Sequence, residues 1–127
     1  MPAERDAGFD PDPTVRSISA GGADEVQLSG DDCSGFINYS APDLDLNYTT
    51  GPYKLYIYAK ANTDITLVIN QPDGTWICSD DVSGTNPSVE FPQSPSGNYN
   101  IWIGTYEAQR GSLPEATVYF SEKAPRW

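Results

Sequence analysis

The segment after Cys78 carries the side chains best suited to binding a metal ion. Asp80 and Asp81 are adjacent there, and Asn86 follows within the same stretch rich in glycine and serine. Asp64 starts the strand that we expect to pair with this hairpin, so we expect it to reach the same point. Calcium binds roughly six to eight oxygen atoms from carboxylates, amides, carbonyls and water. The pattern therefore predicts a Ca2+ site whose side-chain ligands are Asp64, Asp80, Asp81 and Asn86.

The acidic pair also has a simpler interpretation. Aspartates are common in turns, where water solvates them and no metal is needed. Without a cation, however, neighbouring carboxylates repel each other, and one of them is pushed towards protonation. The spacing is not that of an EF-hand loop. Both interpretations remain open from the spacing alone.

The chain lacks the residues on which most catalytic sites depend. It contains no histidine, no Gly-x-Ser-x-Gly motif and no glycine-rich phosphate loop. A pair of carboxylates can catalyse glycoside hydrolysis, but two adjacent turn aspartates are better placed to bind metal or water. We therefore expect a protein that is not an enzyme.

The chain has two cysteines, Cys33 and Cys78, which lie 45 positions apart. We favour a disulfide between them, which would close a long loop and stabilise the fold by roughly 3 to 4 kcal/mol. Two buried free thiols are the alternative. Because disulfides persist in oxidising compartments, the pair indicates a secreted or extracellular protein. Two separated cysteines without a histidine do not make a zinc site.

A net charge of −11 over 127 residues excludes several classes of partner. A chain this acidic repels phosphate backbones, so we expect no nucleic-acid binding. Its apolar runs are too short for membrane insertion, and it has no basic amphipathic stretch for a membrane surface. The first residues lack the basic and apolar parts of a signal peptide. We expect the mature or trimmed form of an exported protein.

Alternating apolar residues between frequent glycines and prolines predict strands along the chain. The predicted strands are 14–20, 24–29, 35–40, 45–50, 53–60, 64–70, 75–79, 88–91, 98–106 and 115–121. Short strands at this spacing are typical of an all-β, antiparallel sandwich with a jelly-roll-like arrangement. We expect residues 14–127 to form this single domain. Residues 1–13 are acidic, proline-rich and without periodicity, so we expect an extended arm.

Several aromatic side chains fall on the outward faces of the predicted strands. They are Tyr56, Tyr58, Trp102, Tyr106 and Tyr119. On one exposed sheet they would form a platform for a sugar or a protein. The alternative is that they pack beneath loops.

Two tripeptides fit the N-glycosylation pattern, in which asparagine is followed by any residue except proline and then by serine or threonine. They are Asn38-Tyr39-Ser40 and Asn47-Tyr48-Thr49. Asn38 and Asn47 are therefore candidate sites for a glycan on an exported chain.

From about Gly8 to Glu122 the chain resembles the bacterial pre-peptidase C-terminal domain family. The segments that carry the resemblance are GFDPDP, AGG, CSGFI, PDLDLNYT, TDITLVINQPDGTWICSDD, NPSVEF, SGNYNIWIGTY and VYFSE. The resemblance implies a non-catalytic, jelly-roll-like β-sandwich of the kind attached to secreted peptidases, several of which bind calcium. It places Asp64, Asp80, Asp81 and Asn86 at the acidic site. Ile65 departs from the threonine expected beside Asp64.

Together these features predict a non-enzymatic, extracellular, calcium-binding module with a structural role. We expect a subunit of a self-assembling filament or surface assembly, in which residues 1–20 dock on the neighbouring copy. A strand donated to an open sheet edge would make such a contact. The alternative is an accessory domain of a secreted peptidase that recognises polysaccharide or protein. In that case strand 14–20 completes its own sandwich.

Overall fold

The computed structural model describes residues 2–6, 14–26, 33–49, 51, 54–79, 86–91, 96–107 and 113–123. Within these residues the chain forms eleven strands and no helix. The strands are β1 (Pro2–Asp6), β2 (Thr14–Ser19), β3 (Asp24–Glu25), β4 (Phe36–Ile37), β5 (Leu44–Thr49), β6 (Leu55–Lys60), β7 (Ile65–Asn70), β8 (Trp76–Ser79), β9 (Ser88–Phe91), β10 (Gly97–Thr105) and β11 (Glu115–Ser121). No helix long and apolar enough to cross a membrane occurs in this part of the chain.

The described strands form two sheets that pack face to face. In sheet A the long strand β10 lies at the centre, with β7 and then β8 on one side. On its other side β5 and β4 lie end to end, flanked by β1 and β3 respectively. Sheet B has the order β2-β11-β6-β9. Every pairing is antiparallel except that of β1 with β5, so the predicted antiparallel sandwich is confirmed.

Side chains that alternate along the strands fill the space between the sheets. Those with no exposed surface include Leu44, Leu46, Leu55, Ile57, Ile65, Leu67, Ile69, Tyr99, Ile101, Ile103, Val118 and Phe120. Successive side chains on a strand point to opposite faces, which explains why alternate residues are buried here. Each large aliphatic side chain buried in this way stabilises the fold by roughly 1.5 to 3 kcal/mol.

A second apolar cluster covers the outer face of sheet A. It contains Val26, Ile37, Val68 and Trp102, with Tyr39 and both cysteines packed against it. Cys33 and Cys78 form a disulfide, with their Cα atoms 5.1 Å apart. The predicted disulfide is thus confirmed. It ties the segment before β4 to strand β8 over the cluster.

A turn at Pro72-Asp73-Gly74 joins β7 to β8. Gln71 N–H donates to the Thr75 carbonyl at 2.8 Å, and Gly74 has a φ of 88°. Glycine is favoured here because other L-residues rarely adopt this left-handed conformation. The Asp73 carboxylate accepts bonds from the Thr75 hydroxyl and N–H, which lower its pKa. The turn places Trp76 opposite Asn70 and so sets the register of the hairpin.

The N-terminal strands both pair within the chain. Residues 2–6, part of the predicted arm 1–13, form β1 and run parallel to β5. Residues 7–13 lie outside the described part of the structure. Thr14–Ser19 forms β2 and pairs with β11 at the edge of sheet B. The strand considered for donation to a neighbour therefore completes its own sandwich here.

One predicted strand is shorter in the structure than the sequence pattern indicates. Residues 35–40 were expected to form a strand, but β4 contains only Phe36 and Ile37. Of the predicted strand 24–29, Asp24 and Glu25 form β3, and residues 27–29 lie outside the described part of the structure. β4 pairs with β10 only at Thr105, because β5 occupies the first half of the same edge. The length of a strand depends on how much of a neighbouring strand is left for it to pair with. The alternation of apolar and polar residues in the sequence carries no information about this.

Candidate functional site

The predicted calcium ligands fall partly within the described residues. Asp80 and Asp81 lie outside them. Asp64 directly precedes β7, where its half-buried side chain lies next to the buried Ile65, and its carbonyl accepts the N–H of Tyr106 at 3.0 Å. The side-chain oxygen of Asn86 accepts the N–H of Ala61 at 3.2 Å. Since residues 61–64 connect β6 to β7, both described ligands lie at the same end of the sandwich.

The ends of the segment that contains the acidic pair are held together. Ser79, the last residue of β8, lies opposite Leu67 near the beginning of β7. The buried Ser79 hydroxyl accepts the N–H of Ser88, the first residue of β9, at 3.1 Å. This bond joins the last residue of β8 in sheet A to the first residue of β9 in sheet B. The end of β8 and the start of β9 therefore lie at the same end of the sandwich as Asp64 and Asn86.

No described group of three or more cysteine, aspartate or glutamate side chains is arranged to hold a metal. Asp64 and Asn86 provide one carboxylate and one amide. One lone pair of the Asn86 oxygen is already used by Ala61, which leaves the other for a cation. The calcium site stays a prediction whose remaining side-chain ligands, Asp80 and Asp81, are outside the described residues.

Three tyrosines of the predicted aromatic platform, Tyr56, Tyr58 and Tyr119, lie on the outer face of sheet B. The rings of Tyr58 and Tyr119 stack in parallel, with centroids 4.8 Å apart. Lys60 Nζ lies 5.7 Å from the centroid of the Tyr119 ring. Tyr58 is only 5% exposed, whereas Tyr56 is half-buried and donates its hydroxyl proton to Glu90 at 3.3 Å. These tyrosines form a packed surface rather than a row of open rings.

Trp102 lies on the opposite sheet and does not join these tyrosines. It is 5% exposed in the outer cluster of sheet A, and its Nε1 donates to the carbonyl of Asn38 at 2.8 Å. Tyr106 follows the end of β10 and is 48% exposed. The predicted set is therefore split between two faces and a strand end. Trp102 is not part of an exposed platform. Its side chain packs beneath the residues that follow β4, as the alternative interpretation expected.

Two aromatic residues that the sequence analysis did not single out lie beside Trp102. The rings of Trp76 and Trp102 are 5.3 Å apart, and Tyr39 is 6.5 Å from each of them in an edge-on arrangement. Trp76 is 39% exposed and forms the open side of this cluster. Trp76 lies two residues before Cys78 on β8. This position could have identified it from the sequence, because the disulfide holds β8 against the outer cluster of sheet A.

Both candidate glycosylation asparagines are exposed. The Ser40 hydroxyl donates to Oδ1 of Asn38 at 2.8 Å, within the same tripeptide. Oδ1 of Asn47 accepts Nδ2 of Asn98, on the neighbouring strand β10, at 2.9 Å. The exposure leaves both side chains accessible, and attachment of a glycan stays a prediction.

Asp43 is a titratable residue that the sequence analysis also missed. Burial raises its pKa from 3.8 to about 6, against a smaller lowering by the hydrogen bond from the Ile103 N–H. Asp43 lines a groove of about 1150 Å3 between the two sheets. No pattern around Asp43 in the sequence distinguishes it from a turn aspartate, because its partner is distant in the chain.

Comparison with known proteins adds no relative. No model of a known protein family matches the chain. No curated protein sequence matches it either. A functional assignment therefore depends on the residues themselves and on their arrangement.

Proposed function

We propose that the chain is a non-catalytic, exported β-sandwich module that binds Ca2+ at one end and recognises a partner protein or polysaccharide. The observation that carries the proposal is the Cys33–Cys78 disulfide over the outer cluster of sheet A. Such a bond persists in oxidising compartments, which supports an exported protein. The resemblance to pre-peptidase C-terminal domains leads to the same class of module.

Calcium binding is supported by the positions of the described ligands. Asp64 lies in the β6–β7 connection and Asn86 is hydrogen-bonded to it, and the Ser79–Ser88 bond joins the two described strands that flank the acidic pair in the sequence. A cation would offset the repulsion between carboxylates in a protein of net charge −11. Its role would be structural, since binding to the native state alone stabilises that state.

A partner-binding module is favoured over a self-assembling subunit. The filament hypothesis places residues 1–20 on a neighbouring copy. Two parts of this region, Pro2–Asp6 and Thr14–Ser19, are already paired with β5 and β11 of the same chain. A strand exchange between copies would first have to break these pairings, and repulsion between acidic copies would oppose the contact.

Thermal unfolding with and without Ca2+ tests the proposal. At a free Ca2+ concentration about a hundredfold above the dissociation constant, the native state gains about 2.7 kcal/mol. We expect EDTA to lower the melting temperature and Ca2+ to restore it. Asp81→Asn should abolish this response, whereas Asp73→Asn, in the exposed β7–β8 turn, should preserve it. A melting temperature that ignores both reagents would refute the calcium site.

A further inference from the structure

Strand β2 presents an open backbone edge in the described structure. The Ala20 N–H donates to the Pro114 carbonyl at 2.8 Å, on the side of β2 that faces β11. Because backbone groups alternate in direction along a strand, those of Ile18 also face β11. The N–H and C=O groups of Ser17 and Ser19 therefore face away from the sheet. No described residue donates to or accepts from them on that side.

Other hydrogen bonds of the described structure agree with this assignment. Arg16 donates from its guanidinium to the carbonyl of Val15 at 2.9 Å, so the Val15 carbonyl at the start of the edge is capped. At the opposite edge of sheet B, the Ser88 N–H is capped by the Ser79 hydroxyl. The open part of the β2 edge is thus the stretch from Ser17 to Ser19. Unpaired strand edges accept extended segments through backbone hydrogen bonds.

The groove of about 1150 Å3 lies along this same stretch. Its lining includes Ser17, Ile18 and Ser19 on one wall. Its charged lining residues are all acidic, namely Asp24, Asp43 and Glu115, and no described lysine or arginine lines it. The Asp24 carboxylate is oriented by the N–H of Tyr39, which donates to it at 3.0 Å, and Glu115 is exposed. Within the part of the chain that the structure describes, the groove therefore combines backbone groups that have no partner with negative charge.

We propose that the edge of β2 and this groove bind an extended, lysine- or arginine-containing segment of another protein, which adds as a strand beside Ser17–Ser19. The backbone groups of Ser17 and Ser19 would hold the segment, and the carboxylates of Asp24 and Glu115 would pair with its basic side chains. A second copy of this chain is a poorer match because of its net charge of −11. The inference rests on the proposed function, because it names the partner of the binding module.

The test uses the full chain and a synthetic peptide in which threonine and lysine alternate. NMR titration with 15N-labelled protein should shift the amide signals of Ser17 and Ser19, and should slow their hydrogen exchange by about tenfold or more. The matched control is the same peptide with glutamate in place of lysine, which should leave both signals unchanged.

Two variants separate the backbone contribution from the side chain. Ser17→Pro removes the outward N–H without removing a bond to β11, and proline is tolerated on edge strands. We expect it to weaken peptide binding about tenfold. Ser17→Ala keeps the N–H and should bind as the parent protein does.

A charge variant keeps the test decisive if Ser17→Pro lowers the melting temperature. Glu115→Gln should weaken binding of the lysine peptide by about threefold, as expected for an exposed charge pair. Glu107→Gln changes the net charge equally outside the groove lining and should have no such effect.

Three outcomes would overturn the inference. They are unchanged Ser17 and Ser19 signals with the lysine peptide, equal binding of the glutamate peptide, and full binding by a folded Ser17→Pro variant. Sedimentation of the chain alone provides a fourth, since self-association abolished by Ser17→Pro would identify a second copy as the occupant. The Ca2+ response of the melting temperature is independent of all four, so failure here is distinguishable from failure of the proposed function.

Discussion

The carboxylate of Asp43 accepts the backbone N–H of Ile103 at 2.8 Å. Ile103 lies on β10 between the residue that pairs with the end of β5 and the residue that pairs with β4. No described strand reaches it on that side. The Gly21 N–H donates to the Ile103 carbonyl at 2.8 Å, so both backbone groups are satisfied from outside the regular pairing. Asp43 and Gly21 thus close a gap in sheet A.

Substitutions at Asp43 should depend strongly on the acceptor that replaces the carboxylate. Asp43→Ala leaves the N–H of the buried Ile103 without a partner, which costs about 1 to 3 kcal/mol. Asp43→Asn retains an acceptor oxygen and should be at least as stable as the parent protein at pH 7, because it removes a charge that burial disfavours. Urea unfolding of the three proteins measures the difference. Equal stability of the alanine and asparagine variants would contradict the role of the bond.

The raised pKa of Asp43 predicts how stability changes with pH. Burial raises this pKa from 3.8 to about 6, so between these values the native state binds more protons than the unfolded state. Stability contributed by the protonated group is therefore present at low pH and lost as pH rises through about 6. We expect a loss of about 1 to 2 kcal/mol, reduced from the full shift because the side chain is partly exposed.

The pH effect is measured as the stability of the parent protein minus that of Asp43→Asn. This difference should fall between about pH 4 and pH 6.5 and stay flat above. Other carboxylates titrate in the same range, and the subtraction cancels their contribution. Parallel stability curves for the two proteins would show that Asp43 titrates normally.

Removing the disulfide should destabilise the domain substantially. The Cys33→Ala, Cys78→Ala double variant loses a bridge between residues 45 positions apart, which corresponds to about 4 kcal/mol in the chain-entropy model. Urea unfolding with and without reductant provides the measurement. Reductant should lower the stability of the parent protein towards that of the double variant and leave the variant unchanged. A parent protein indifferent to reductant would contradict the stabilising role.

The two tryptophans of the outer cluster should respond differently to substitution. Trp102→Phe removes the donor to the Asn38 carbonyl from a site that is 5% exposed, and we expect a loss of about 1 to 3 kcal/mol. Trp76→Phe changes a side chain that is 39% exposed, so the expected change is within about 0.5 kcal/mol. Urea unfolding compares them. A larger loss for Trp76→Phe would contradict this view of the cluster.

The sequence by itself determined the fold class and the core. Alternation in β6, β7, β10 and β11 identifies the buried face correctly, because the side-chain period of a strand is two whatever its partner. The turn at Pro72-Asp73-Gly74 is local and was likewise predictable. The sequence favoured a disulfide between Cys33 and Cys78 over two free thiols, and the structure shows the bond.

Only the tertiary structure decided which surfaces these strands share. Alternation says that Tyr58 and Trp102 point outward, but not that they lie on opposite sheets, because strand order depends on contacts between distant segments. Strand β1 could not be predicted for the same reason. Its acidic segment has no apolar periodicity, and it forms a strand because it pairs with β5. The Asp43–Ile103 bond exists because β5 and β4 leave a gap along one edge of β10. Local patterns encode which face of a strand is apolar, whereas such gaps and open edges arise only when the sheets assemble.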